Sequence, residues 1–374
     1  MFAIILAFIV VYIFYVAFNK KKEPVKVEDK IQHEEYRQIQ ITRPSEGRVS
    51  RPKTFADYIG QTKAVERLKI AIESAKQRGE LLPHCLLYGN AGIGKTSLAQ
   101  IIAHESGLVC KVITGSSLRT QSDIFNILHE ITELQIQGYG MCLFIDEIHD
   151  LEKPSAPETL WYPILESFTF YSDLVGKQVN LKSGKYIINN GTVCTYPFVI
   201  IGATTDPGKL TKPLRDRFGI HLILEDYSKE EIVEILKRYC IRNLIHFETE
   251  ALQEISNRSR ANPRVSINYL LEARDKMVVD RKFTLTKDII LSTMKMLELD
   301  DNGLSWQDIK VLKALASIHP KGIGLSNLAQ MVSMESKTIG EMLEPYLKQL
   351  GYVQVTSKRF ITEGGLDYLK AKEF

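Results

Sequence analysis

No two cysteines in this 374-residue chain are spaced as CxxC, and the five present (Cys85, Cys110, Cys142, Cys194 and Cys240) are scattered. That argues against a zinc knuckle and for reduced thiols in a cytosolic compartment. A lopsided charge is missing too: 48 Lys and Arg stand against 45 Asp and Glu, a formal net charge of +3. Net charge alone therefore implies no nucleic-acid partner. Nor is the composition biased, at 44% hydrophobic and 25% charged, which excludes wholesale disorder. The length leaves room for two or three domains.

Charge is absent altogether from the first eighteen residues, MFAIILAFIVVYIFYVAF, before Lys20, Lys21 and Lys22. Such a run is near the lower limit for crossing a hydrocarbon layer of about 30 Å. A positive leading region and a small-residue cleavage site are both lacking, so the reading is an uncleaved transmembrane anchor over residues 1–19. The lysines after it place the rest of the chain in the cytoplasm. Residues 20–50 are rich in Lys, Glu, Gln and Arg, bury little, and read as a tether. The folded body begins near Arg51.

What is there starts with GNAGIGKT, Gly89 to Thr96, a full GxxxxGK[ST] match. CLLYG before it suits a buried parallel strand, and SLAQIIAHE after it has helical periodicity. Gly89, Gly92 and Gly94 let backbone N–H groups converge on an anion at a helix N-terminus, with Ser97 in the first turn. Lys95 offers a compact charge for the β- and γ-phosphates of ATP, and Thr96 a hydroxyl for Mg²⁺. MCLFIDEIHD then reads as a buried strand ending in two carboxylates. Asp146 is placed to reach the metal shell, and Glu147 to orient and polarise an attacking water.

PFVIIGATT reads as a third strand, whose Thr204 or Thr205 can sense the γ-phosphate or place the water. KLTKPLRDRFG reads as a short helix capped by Pro213 and ended by Gly219, carrying Arg215 and Arg217. Two residues apart on a helix, they cannot both face one site. Strand and helix patterns alternate over 81–225, which points to a parallel sheet with helices on both faces. SKEEIVEILKRYC opens a helical lid with a serine cap and a Glu three residues on. Within that lid, ANPRVSINYLLEARD puts Arg264 at a helix start, within reach of the nucleotide.

The C-terminal stretch reads as a winged helix. WQDIKVLKALASIHP is an amphipathic helix, LSNLAQMVS and SKTIGEMLEPYLKQLG form a helix-turn-helix, and GYVQVTSKRFITEGG a hairpin with Lys358 and Arg359 at its tip. Both could reach DNA phosphates. Residues 301–374 hold nine Lys and Arg against eight Asp and Glu, so avidity from several subunits would have to supply affinity.

Taken together, RPKTFADYIGQ, LLPHCLLYGNAGIGKTSLAQIIAHE, LFIDEIHDL, LWYPILESF, IGATTDPGKLTKPLRDRFGI, ANPRVSINYLLEARD and EPYLKQLGYVQVT resemble the RuvB family, the bacterial AAA+ motor of Holliday junction branch migration. The similarity covers roughly residues 50 to 362. It implies a hexameric ring with ATP bound between subunits and a junction-binding partner, RuvA. Arg51, Tyr58 and Ile59 would border the adenine, and Tyr227 and Arg264 would contact the nucleotide. Thr205 would be the sensor and Arg217 the finger reaching into the neighbour's site.

The expected fold is therefore an α/β AAA+ P-loop domain (51–227), a helical lid (228–297) and a winged-helix DNA-binding domain (298–374), behind a transmembrane helix. Two features depart from the family: the anchor, and a stretch from Tyr171 to Tyr196 longer than the hairpin with which the family meets RuvA. VNLKSGKYII within it reads as strand-turn-strand. A clamp-loader-like or initiator ATPase, and an anchored protein remodeller with a winged-helix adaptor, are the alternative readings.

Overall fold

The computed structural model describes residues 51–152, 158–167, 169–172, 177–180, 186–188, 192–194 and 197–372. The anchor and tether assigned to residues 1–50 lie outside them. Among the described residues no helix is long and apolar enough to cross a membrane.

Five parallel strands form the main sheet: β1 (Cys85–Tyr88), β2 (Val109–Thr114), β3 (Met141–Asp146), β8 (Val199–Thr204) and β9 (Ile220–Ile223). Their order is β2-β3-β8-β1-β9. The three central strands are short apolar runs because both their faces are covered. Their side chains alternate accordingly. Cys85 and Leu87 of β1, Phe144 of β3 and Ile201 of β8 join one core, which continues into the helical lid. Leu86, Leu143, Ile145 and Ile200 join the other. Helices α1 (Thr62–Arg78) and α2 (Lys95–Glu105) contribute to the first core. Helices α3 (Gln121–Ile136) and α4 (Trp161–Ser167) contribute to the second. Each fully buried Leu or Ile is worth about 1.5–3 kcal/mol, so two filled faces hold the strand ends rigidly beneath whatever they carry.

Four short strands lie between α4 and β8: β4 (Thr169–Ser172), β5 (Lys177–Asn180), β6 (Tyr186–Ile188) and β7 (Thr192–Cys194). VNLKSGKYII, expected as strand-turn-strand, carries strand residues of β5 and β6 at its two ends, and the residues between them lie outside the described ones. β5 pairs with β4 and β6 with β7, both antiparallel, so that sequence spans the halves of two hairpins. Period-2 patterning marks a strand but does not name its partner.

A short helix α5 (Lys212–Arg215) precedes β9. After β9 the chain turns helical with α6 (Lys229–Arg242), α7 (Thr249–Arg258), α8 (Pro263–Val279) and α9 (Lys287–Met296). The capping box expected at Ser228 is present: its hydroxyl accepts from the Glu231 N–H at 3.1 Å, and Glu231 accepts from the Ser228 N–H at 2.8 Å. The block is not wholly helical, because β10 (His246–Phe247) and β11 (Thr284–Leu285) pair in parallel across it.

The C-terminal part has its own core around Leu312, Leu328 and Leu347. It comprises α10 (Trp306–Ser317), α11 (Leu325–Val332), a helix from Ser336 to Gln349 with a π-helical stretch Ile339–Leu343, strands β12 (Val353–Val355) and β13 (Arg359–Ile361), and α12 (Glu363–Ala371). The antiparallel β12–β13 pair is the wing. Lys358 is exposed at its tip, as expected. Arg359 is not: its Nε and Nη2 donate to the Glu344 carboxylate at 3.3 and 3.2 Å, with its side chain 16% exposed. Glu344 is buried, and leaving it unpaired would cost more than a phosphate contact returns.

Candidate nucleotide-binding and hydrolysis site

The P-loop runs from the carboxyl end of β1 into the N-terminus of α2, where strand ends of a parallel sheet open a crevice. Gly92 and Gly94 have φ of +82° and +100°. A Cβ on Gly92 would lie 2.5 Å from Asn262 Oδ1, and one on Gly94 would lie 2.9 Å from the Tyr58 hydroxyl. Only glycine fits a loop pressed this closely between the lid and the N-terminal segment. Gly89 lies directly after β1.

Lys95 is buried, and its ammonium donates to the carbonyls of Gly89 and Asn90 at 2.6 and 2.9 Å. Burial pulls its pKa below the usual lysine range, while Glu147 and Asp146 oppose that shift and Arg264 adds to it. Lys95 after β1, the carboxylates at the end of β3 and Arg264 of the lid thus act on one another electrostatically. Thr96 and Ser97 follow, half-buried, in the first turn of α2. Asp146 ends β3 and accepts from the Glu147 N–H at 3.1 Å.

Glu147 has φ +48°, a conformation rare for a residue with a side chain. Its carboxylate is clasped: Oε2 accepts from the Thr205 N–H at 3.2 Å and the Thr205 hydroxyl at 3.0 Å, and lies 3.2 Å from His149 Nδ1. Thr204 is fully buried, its hydroxyl 2.9 Å from His149 Nδ1 and accepting from the Asp206 N–H. Of the two threonines left open by the sequence, Thr205 is therefore the one that touches Glu147. His149 was not singled out in the sequence, although it stands two residues beyond Glu147.

Tyr58 and Tyr227 are buried beneath the loop. The Tyr227 hydroxyl donates to the Ile93 carbonyl at 3.1 Å and lies 3.4 Å from the Tyr58 hydroxyl. Ile59 is half-buried beside them in sequence, and Arg51 is exposed, its Nη1 3.5 Å from Gln100 Oε1. Arg264 is exposed at the start of α8, and a Cβ on Gly92 would come within 3.0 Å of its own Cβ. Asn262, also missed in the sequence, caps α8 and donates from Nδ2 to the Ala91 carbonyl at 2.7 Å. The Asn-Pro pair was the available signal, since Asn before Pro favours a helix start.

Arg215 and Arg217 do not share a helix. α5 stops at Arg215, with Thr211 rather than Pro213 as its cap, because Phe218 turns into the core and draws the chain into β9. Arg215 lines a cavity of about 550 Å³ with Tyr88, Asn90, Thr205 and Asp226, beside its own P-loop. Arg217 instead contacts the Pro213 carbonyl, Glu166 and the Tyr162 ring.

Residues 50–224 match the description "Holliday junction DNA helicase RuvB P-loop domain", 227–300 "RuvB AAA lid domain" and 301–370 "RuvB C-terminal winged helix domain". A Thermotoga maritima protein named Holliday junction branch migration complex subunit RuvB is 39% identical over 322 residues, covering 86% of this chain and 92% of that one. The chain belongs to the RuvB family. The Leuconostoc mesenteroides RuvB subunit is 37% identical over 321 residues, covering 85% of this chain and 87% of its own. The solved Thermotoga maritima RuvB Holliday junction branch migration motor superposes with a TM-score of 0.71 at 38% identity, over 86% of this chain and 99% of that one. An α/β P-loop domain, a lid and a winged helix in this order are thus both the architecture and the family pattern. Among the readings left open by the sequence, the RuvB reading stands over the clamp-loader and remodeller ones.

Proposed function

We propose that this protein is an ATP-driven DNA motor that moves the branch point of Holliday junctions or similar branched duplexes in recombination and repair. The observation that carries the reading is the Glu147–Thr205 clasp facing Lys95 at the strand ends, in a chain of the RuvB family. The donor set fits a magnesium nucleotide: glycines leave room for phosphates, Lys95 supplies the charge, and Thr96 and Asp146 are hard oxygen ligands suited to Mg²⁺. When bound, the metal neutralises phosphate charge. Glu147 orients and polarises water, Thr205 holds that carboxylate in place, and Arg51, Tyr58, Ile59, Tyr227 and Arg264 surround the nucleotide from the N-terminal segment and lid.

Arg217 has no contact with its own Lys95, Glu147 or Thr205, which supports a role in a neighbouring copy's site within a homo-hexameric ring. Lys358 at the wing tip would contact phosphate, with Arg359 holding the wing from inside. A RuvA-like junction-binding partner would engage residues 171–196. The functional test is dissociation of a synthetic four-way junction. The protein should separate it only with ATP and Mg²⁺, Glu147→Gln should bind ATP yet fail, and ATP-independent separation would overturn the reading.

The uncharged run before Lys20 supports a membrane-anchored protein with its ATPase body in the cytoplasm. Surface attraction is screened within ~10 Å at 0.1 M salt, whereas a spanning helix resists washing. The full-length chain should therefore stay with membranes in 1 M salt, and its complete release would refute anchoring by residues 1–19.

A further inference from the structure

Arg217 is held more closely than an exposed arginine needs to be. Its Nη1 donates to the Pro213 carbonyl at 2.7 Å, its Nη2 donates to Glu166 Oε2 at 3.1 Å, and the guanidinium stands 4.4 Å from the centre of the Tyr162 ring. Its side chain is 26% exposed, and Nε is buried without a hydrogen-bond partner. Tyr162 and Glu166 are one helical turn apart on α4, whose opposite face is pinned by Trp161, Ile164 and Leu165 in the core. The Tyr162 hydroxyl also lies 3.2 Å from the hydroxyl of Thr211, the residue that caps α5. One face of α4 thus meets both the guanidinium and the cap of the helix that supplies its carbonyl partner.

We propose that Tyr162 and Glu166 are positioning residues for Arg217, forming a rest on α4 that presents the guanidinium to the phosphate bound by the neighbouring copy. This rests on the reading of Arg217 as the residue that completes that neighbour's site. A guanidinium has five N–H donors, and the two contacts above use one on each terminal nitrogen. One on each remains for phosphate, in the planar fork that suits it. The ring fixes the plane of the fork by stacking, and the carboxylate fixes its rotation within that plane. Glu166 is largely exposed, so its attraction is screened and the ring carries the larger share.

The test is a double-mutant cycle on full-length protein, read by single-turnover ATP hydrolysis and nucleotide affinity, with melting temperature followed for each variant. Tyr162→Leu should slow hydrolysis about tenfold at unchanged nucleotide affinity, because misplacing a catalytic group by about 1 Å costs on that order or more. Tyr162→Phe keeps the ring and should stay within about threefold of the parent, and Glu166→Gln should fall in the same range. In an Arg217→Ala background neither substitution should slow the reaction further. Equal slowing by Tyr162→Leu with and without Arg217 would overturn the proposal, as would faster hydrolysis in Glu166→Gln, which would make the contact a restraint. If Arg217→Ala alone keeps full activity, the reading of Arg217 itself fails, an outcome distinct from either.

Discussion

Arg260 and Arg264 stand four residues apart and serve two regions that differ in kind. Arg264 is exposed above the P-loop, and its positive charge acts on the Lys95 ammonium. Arg260 turns into the joint between the helical lid and the winged helix. There its Nη2 donates to Asp308 Oδ2 at 2.7 Å and to the Gly303 carbonyl at 3.0 Å, and its guanidinium stacks 4.7 Å from the Tyr346 ring. Asp308 is fully buried and also accepts from the Ser305 N–H and hydroxyl. Nearby, Arg258 is buried between Glu254 and Asp301, and the Tyr368 hydroxyl bonds Asp300. The joint is held by contacts within one chain, all of those to Asp308 falling on Oδ2, while Asp308 Oδ1 and Arg258 Nε are buried without a hydrogen-bond partner. The nucleotide site has the Glu147 carboxylate and the glycine-rich P-loop, while Arg217 contacts Pro213, Glu166 and Tyr162 instead. One region is built to hold a shape; the other, on the proposed reading, is finished by a ligand and a second copy.

The contrast can be broken by substitutions that should each affect one property alone. Arg217→Ala should produce the largest effect, a loss of about 10³-fold or more in ATP turnover with an unchanged melting temperature. A parallel fall in melting temperature would show that the residue is structural instead. Arg260→Ala should cost about 3–5 kcal/mol of stability by stranding buried Asp308. Urea denaturation measures it, and a change below 1 kcal/mol would mean that the joint relaxes freely.

A smaller effect lies within the sheet. Strand β1, which ends in the P-loop, begins next to buried His84, whose Nδ1 accepts from the Ile200 N–H at 3.0 Å. Burial lowers the His84 pKa from 6.5 to about 4, against an opposing backbone hydrogen bond at Leu165. The unfolded chain therefore binds a proton that the folded chain refuses. The stabilisation is complete above about pH 6.5 and is lost as pH falls toward 4, up to roughly 3 kcal/mol. His84→Gln should flatten that acid limb in urea titrations, and an unchanged slope would place the acid sensitivity elsewhere.

The two regions also differ in how far the sequence discloses them. GNAGIGKT and the Asp146–Glu147 pair were legible because their chemistry is local, a loop and a strand end read in consecutive letters. The Ser228–Glu231 cap was legible for the same reason. The joint was not, because Arg260 and Asp308 are 48 residues apart and nothing in either segment names the other. Arg359 looked like a wing-tip cation until the fold brought Glu344 beneath it. The same limit hid Asn262, whose partner lies on the P-loop, and Tyr162, whose partner is an arginine beyond the two hairpins. Helix α5 stops at Arg215 rather than at Gly219, since burial of Phe218, rather than local propensity, ends it.

The central claim is that the hydrolysis site is finished by the neighbouring copy. Mixing inactive Lys95→Ala and Arg217→Ala proteins tests it most directly. Some interfaces of a mixed ring would join an intact Lys95 to an intact Arg217, so ATP hydrolysis should reappear on mixing and rise with the share of mixed rings. If mixed rings form, as shown by mass, and hydrolysis stays absent at every ratio, Arg217 does not act across the interface and the claim is wrong.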